Sequence, residues 1–310
     1  MKNTTDLTPQ QLKNLQEKSL ELLLKFQDFC DKNSLKIFLI GGGLIGAVRH
    51  KGFIPWDDDL DVFMLRDDYE WLCKNFNSLQ KDSGLYFEKT TKDHYTRLQI
   101  AAVVDENTTF IKERQKDLEQ VHHGIRIDVI PLDGCPKSRF KRKTQILWAL
   151  IYSMFIVGEP HTSKGKALEL ISHFMLFFFR TPRARYKVWH LAEKRMSRFK
   201  IDECDNLTEL CSWYQYMVNE YPKEIFSSVV MLPFEDKKVS APIGYDEYLK
   251  IAFGDYMTLP PEEERIAKHD AVKIDTNVSY KNYFGEKEWV FQKMLFQDLF
   301  WLMIFSAKMF

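Results

Sequence analysis

The chain has 310 residues, 45% of them hydrophobic, which is enough for a full core in one large domain or in one domain with an elaboration. Forty-four basic residues balance forty-four acidic ones, so no global field draws nucleic acid or another polyanion; no nucleic-acid partner is expected, and any polyanion contact must be local. Five cysteines (Cys30, Cys73, Cys135, Cys204, Cys211) show no C-x-x-C spacing and read as reduced, mostly buried thiols, and the N-terminal twenty residues hold no apolar run suited to a signal peptide, so a cytoplasmic location is expected.

Thr8-Pro9, followed by Leu12, Leu15, Leu20, Leu23, Leu24 and Phe26 or Phe29, has helical spacing with a cap and an early proline. "LKIFLI" reads as a buried strand that ends in a glycine turn, and "LIGAVRHKG" as a short helix. "DLDVFML" is a second strand, followed by the helix "RDDYEWLCKNFNSL". "TRLQIAAVV" and "GIRIDVIPLDG" read as further strands, the second closed by its proline and glycine. The composition changes after Lys137, where "KSRFKRK" and two apolar runs suggest a helical elaboration over 137–221. The last part, 222–310, returns to mixed composition with the loop "GDYMTLPPEEE" and an aromatic helical pattern, "VFQKMLFQDLFWLMIF", and completes the catalytic part begun by 1–136. The expected fold class is α+β, a small mixed sheet flanked by helices with a largely helical insertion.

One stretch, Leu39 to Met64, combines three glycines (Gly41, Gly42, Gly43), a basic triplet (Arg49, His50, Lys51) and four aspartates in five residues (Asp57, Asp58, Asp59, Asp61). Strand alternation puts Asp59 and Asp61 on one face, about 7 Å apart, with Leu60 and Val62 turned to the core. Two such carboxylates can share Mg²⁺, which completes its shell with waters and phosphate oxygens. Without a cation they repel each other. Glycine amides ahead of a helix can approach phosphate closely.

Those residues carry a resemblance. "GGGLIGAVRHKGFIPWDDDLDV", with "RIDVIPLDG" and "FGDYMTLPPEE" further on, closely resembles the signature of the LicD family, phosphocholine transferases related to fukutin and fukutin-related protein within the nucleotidyltransferase-like superfamily. The resemblance spans roughly 37–270 and is weakest across 137–221. It implies Mg²⁺ or Mn²⁺ held by Asp59, Asp61 and a third carboxylate, Asp128. It also implies transfer of phosphocholine or another phospho-alcohol from CDP-choline or a similar CDP-alcohol to a hydroxyl of a cell-surface glycan precursor, such as one for lipopolysaccharide or teichoic acid, with CMP leaving. Asp128, or Asp58 as second choice, would accept the proton, and Arg49, His50 and Lys51 would contact the diphosphate. Trp56 would stack on base or choline, or else pack as a structural indole beside Pro55. Position 43 is often Ser or Thr in the family and is glycine here. Alternatives are other CDP-alcohols, a nucleotidyltransferase using a nucleoside triphosphate, and a non-catalytic glycan- or membrane-binding scaffold.

Two histidine sites outside the motif, His122-His123 and His269, read as structural. The cations of 137–200 flank apolar runs too short to span a bilayer, which needs about twenty residues. They suggest peripheral contact with an anionic membrane at its inner face, where a lipid-linked acceptor would sit; the alternative is that the runs are buried.

Overall fold

The computed structural model describes residues 7–158, 166–267 and 271–284. The "VFQKMLFQDLFWLMIF" pattern and His269 lie outside the described residues. Helix α1 (Pro9–Lys32) begins with Thr8 and Gln11 in a reciprocal capping box and with Pro9 in its first turn. Its apolar stripe, Leu15, Leu20, Leu22, Leu23, Phe26 and Phe29, is buried, as the spacing predicts, while Leu12 and Leu24 are only half-buried. Then come β1 (Phe38–Ile40), α2 (Gly41–Arg49), β2 (Asp61–Leu65) and α3 (Arg66–Leu79). Strand β1 is shorter than "LKIFLI". The glycines form the first turn of α2 itself, not a loop ahead of it.

Strands β3 (Leu85–Glu88), β4 (Ala101–Asp105), β5 (Thr109–Lys112) and β6 (Ile125–Cys135) follow. The helices α4 (Arg139–Val157), α5 (Lys166–Phe178) and α6 (Pro182–Met196) precede β7 (Asn206–Glu209), α7 (Tyr214–Met217) and β8 (Tyr221–Pro222). The chain continues through the hairpin β9 (Val229–Phe234) and β10 (Lys237–Pro242), then α8 (Tyr245–Phe253), β11 (Ala271–Asp275) and α9 (Lys281–Phe284).

Seven strands form the main sheet, in the order β1-β2-β6-β4-β3, with β7 on β6 and β8 on β7. β2 and β6 run parallel and the other pairs antiparallel, so the sheet is mixed and the fold is α+β, as expected. Pro131 and Gly134 do not close β6; the strand runs through both. On one edge β6 pairs with β4 through Val129 and with β7 from Leu132, so Pro131, which has no N–H to give, falls in the gap between them. At Gly134 a Cβ would lie 2.6 Å from the Phe199 carbonyl, a close approach only glycine permits.

The expectation of an exposed, basic and apolar 137–200 surface splits in two. The first apolar run is a core helix: α4 packs on α6 and buries Ala149, Tyr152, Met154, Phe155 and Ile156. At its start Arg142 is buried and donates to Thr208 Oγ1 at 2.8 Å and to the Met217 carbonyl at 2.6 Å, while Lys137 pairs with Asp205. The second run, α5, exposes Leu170, Phe174, Phe177 and Phe178 while burying Ser172 and Leu176.

Candidate active site

Three adjacent strand ends bring the acidic motif together. Ile40 faces Asp61 across the β1/β2 pair, and Asp61 faces Asp128 across the parallel β2/β6 pair. Leu60 and Val62 are buried at 1% and 0% exposure, while Asp59 and Asp61 are half-exposed, as alternation requires. Gly41 adopts φ +58°, and its missing Cβ would sit 3.7 Å from Asp61 Oδ2. At Gly42 a Cβ would fall 2.3 Å from Asp57 Oδ2, so a methyl group there collides with the acidic loop. Gly43 faces inward, 2.8 Å from Leu60 Cδ2 and 2.9 Å from Leu39 Cδ1 on the same construction, so a hydroxyl at this position would meet the core.

β2 starts at Asp61, so Asp57, Asp58 and Asp59 precede it, just after the turn that the Asp57 amide closes on the Ile54 carbonyl. One carboxylate oxygen from each lies within 4.8 Å of the other two, the only such group of three among the described residues. Asp59, Asp61 and Asp128 do not meet that closeness. α1 holds this turn through Gln16, whose Nε2 donates to the Asp57 carbonyl at 2.8 Å. Asp58, Asp59 and Asp128 line a narrow cleft with Ser19, Lys112 and Arg126. Lys112 Nζ is 3.9 Å from Asp128 Oδ2, and Asp128 Oδ1 is buried with no hydrogen-bond partner among the described residues. Arg126, two residues before Asp128 on the same face of β6, is buried and donates to the His122 carbonyl at 3.2 Å.

The basic triplet is engaged elsewhere. Arg49 Nη1 donates to the carbonyls of Tyr256 at 2.8 Å and Thr258 at 3.3 Å, tying α2 to the "GDYMTLPP" loop. Burial, with the nearby Arg265 charge, lowers the Arg49 pKa. Burial and Arg49 likewise lower that of His50, whose ring is then neutral at pH 7. Lys51 is exposed at φ +61°; its carbonyl accepts from the Glu235 amide at 2.7 Å, and Glu235 Oε1 accepts from the Phe53 amide. Half-buried Trp56 carries the Arg265 guanidinium 5.8 Å over its ring. Arg265 also donates to the Pro260 carbonyl at 2.9 Å. Sequence reasoning placed Asp57 in the acidic run but gave it no role, and it passed over Lys112, Arg126 and Arg265, which no spacing marks.

The family described as "LicD/FKTN/FKRP, nucleotidyltransferase domain" matches residues 34–122, which hold the glycines, the basic triplet and Asp57 to Asp61. The chain is 29% identical over 262 residues, 81% of its length and 92% of the relative's, to the lipopolysaccharide cholinephosphotransferase LicD of Haemophilus influenzae. The chain is thus similar to the LicD family, over its nucleotidyltransferase segment and along most of its length. Uncharacterized proteins of Rickettsia prowazekii and Rickettsia typhi are each 42% identical over 48 residues, 16% of this chain and 18% and 16% of theirs.

Beneath the glycines of the segment that matches the LicD family lies a buried polar layer. Tyr221 donates its hydroxyl to Glu209 Oε1 and accepts from Asn219 Nδ2 at 3.1 Å, and the Tyr248 hydroxyl hydrogen-bonds the Gly41 backbone. Burial pushes the Glu209 carboxyl up to about 7, against the opposing hydrogen bonds from Tyr221 and Ser212. The folded chain therefore holds this proton more tightly than the unfolded one. The stability it contributes is fully present below about pH 4.5 and is lost as pH rises through about 7. Glu209→Gln is expected to flatten that fall, worth at most about 3 kcal/mol, so that the variant melts above wild type at pH 8 but not at pH 4.5. Equal pH slopes in paired thermal melts would show that water relieves the burial.

Of the histidines read as structural, His122 and His123 are packed among side chains, and His269 lies outside the described residues. His122 stacks on Tyr86 at 3.6 Å and hydrogen-bonds Glu106 at 2.8 Å, and buried His123 stacks on Phe284. Cys30, Cys135, Cys204 and Cys211 are buried, Cys73 is half-buried, and none is paired.

Proposed function

We propose that this chain transfers phosphocholine, or a similar phospho-alcohol, from a CDP-alcohol to a hydroxyl of a lipid-linked glycan precursor at the inner face of the cytoplasmic membrane, releasing CMP. The observation that carries the reading is the close Asp57-Asp58-Asp59 group beside Asp61 and Asp128, within and just beyond the segment that matches the LicD family. The Haemophilus relative's name, lipopolysaccharide cholinephosphotransferase, supports the group and the acceptor class.

The donor set is all carboxylate oxygen, which suits Mg²⁺ or Mn²⁺. The buried, unpartnered Asp128 Oδ1 fits a ligand atom better than a structural one. Asp59, Asp61 and Asp128 would hold the ion, with Asp57 and Asp58 at its edge. When bound, the cation would neutralise charge on the diphosphate and on departing CMP.

The chain's own residues do the rest. The acceptor oxygen bonds to the phosphorus that carries the alcohol, the bond from that phosphorus to the bridging oxygen breaks, and CMP leaves with the electron pair. The proton of the attacking hydroxyl passes to Asp128, with Asp58 as second choice. Lys112 and Arg126 supply the cationic wall of the cleft, and Gly41 and Gly42 leave room for the donor against the carboxylates. Arg49 acts by holding the Tyr256–Thr258 backbone, and Arg265 covers Trp56 where a base or choline would stack.

Incubation with CDP-choline, CDP-ethanolamine, CDP-ribitol and CDP-glycerol, with and without Mg²⁺, tests the reading. Metal-dependent CMP release from one of them is expected. Pyrophosphate from a nucleoside triphosphate would instead make the chain a nucleotidyltransferase, and no product from any donor would favour a scaffold. Arg49→Lys is expected to raise donor KM and lower kcat, because the shorter lysine stem ends before the position of the Nη1 that serves both carbonyls. Wild-type kinetics together with unchanged amide exchange at 256–258 would remove Arg49 from the site.

A further inference from the structure

Helix α5 presents an apolar face that no described residue covers. Leu170, Phe174, Phe177 and Phe178 follow i, i+4, i+7, i+8 spacing, so they share one side, and they are between 58% and 71% exposed. Ser172 and Leu176, on the other side, are buried, and Phe179 meets Phe155 of α4 with ring centroids 5.4 Å apart. The helix is thus seated on the protein by one face, with its aromatic face outward. Contiguous exposed aromatics of this kind mark an interaction surface.

Charge identifies what the surface meets. Between Leu170 and Lys200 the sequence holds Arg180, Arg183, Arg185, Lys187, Lys194, Arg195, Arg198 and Lys200 against one acid, Glu193, which is paired with Lys89 at 2.9 Å. Arg180 lies nearest the aromatics, with its guanidinium 3.9 Å from the Phe177 ring centroid, and exposed Arg183 follows at the start of α6. A second copy packed face to face would bring the same cations together, which costs binding. Anionic headgroups over an apolar interior match both the cations and the phenylalanines. Among the described residues no helix is long and apolar enough to cross a membrane, so contact would be made from one side.

We propose that the outer face of α5 docks on an anionic lipid surface, with Phe174, Phe177 and Phe178 entering the headgroup boundary and Arg180 and Arg183 pairing with lipid phosphates. α4, whose apolar run is core, does not take part. The docking rests on α5 and its cations and not on the transfer reading, although a lipid-linked acceptor would be met at such a surface.

Flotation of the full chain with vesicles of equal parts phosphatidylglycerol and phosphatidylcholine, against phosphatidylcholine alone, tests it without donor or acceptor. Wild type should float with the anionic vesicles, weaken with added salt, and float poorly with the neutral ones. F174S/F178S and R180E/R183E should each lower partition by about tenfold or more, with melting temperatures in vesicle-free buffer unchanged. Failure to float on anionic vesicles at low salt would overturn the proposal. So would a large melting drop in the phenylalanine variant, which would mean that the chain covers this face itself. A wild-type dimer that the same variant turns into monomer would overturn it as well, assigning the face to a second copy.

Discussion

Asp59→Asn and Asp61→Asn are each expected to lower transfer by roughly a thousandfold or more, equivalent to about 4 kcal/mol of transition-state stabilisation, while leaving the chain folded. Asparagine keeps the size and one carbonyl oxygen of each side chain and removes only the charge, on which a hard-cation site depends. The flanking residues Leu60 and Val62, which anchor the strand in the core, are untouched. Removing one charge from so crowded a set also relieves repulsion, so metal-free melting temperatures should stay level or rise. CMP release and melting, measured side by side, decide it. Activity within about tenfold of wild type for either variant would sink the assignment of these carboxylates to a metal.

Asp133→Ala should cost about 3–5 kcal/mol of stability, the largest loss expected from a single change outside the site. Arg66, the first residue of α3 directly after β2, donates through Nε to Asp133 Oδ1 at 2.7 Å and through Nη2 to Oδ2 at 2.6 Å, and both residues are buried. Burial opposes the Arg66 charge and the Asp133 carboxylate more than offsets it, so its pKa stands well above the ordinary value. Alanine would leave that guanidinium only the longer contact to half-exposed Glu70, 3.7 Å from Nη1, whereas Arg66→Met with Asp133→Leu removes the buried pair and should lose much less. Urea denaturation of the single and double variants separates the two costs. A loss under about 1 kcal/mol for Asp133→Ala would mean that solvent reaches Arg66.

Local rules carried far in this chain where one period dominates. Thr8, Pro9 and the leucine stripe specify α1, and "RDDYEWLCKNFNSL" coincides with α3. The strand reading of "DLDVFML" put Leu60 and Val62 inside, as found. β2 itself begins only at Asp61, yet burial alternates from Asp58 to Val62; what the reading left out is Asp57, whose carboxylate reaches those of Asp58 and Asp59. Pro131 misled for a different reason. A proline ends a strand only where the neighbour on its N-side needs an N–H donor, and whether β6 has such a neighbour at Pro131 is a tertiary fact. The two apolar runs after Lys137 look alike in composition, and only the packing of α4 on α6 makes one core and leaves the face of α5 outside. Arg49 was legible as a cation but not as a loop tether, since its carbonyl partners lie over two hundred residues away.

The clamp between Arg66 and Asp133 joins residues 67 positions apart, and the parallel strands it locks are the pair that sets Asp61 against Asp128. On the ribosome, at roughly 5–20 residues per second, the β2 segment waits about 3–13 seconds for its partner strand to be made. During that interval Val62, Phe63 and Met64 have no β6 to lie against, and a guanidinium destined for the interior stays in water. Nascent chains stalled before β6 has emerged should bind hold-type chaperones and be cut readily near β2, while those stalled well after Cys135 should resist. Protection that arises before β6 is exposed would show that the first half of the sheet closes without it.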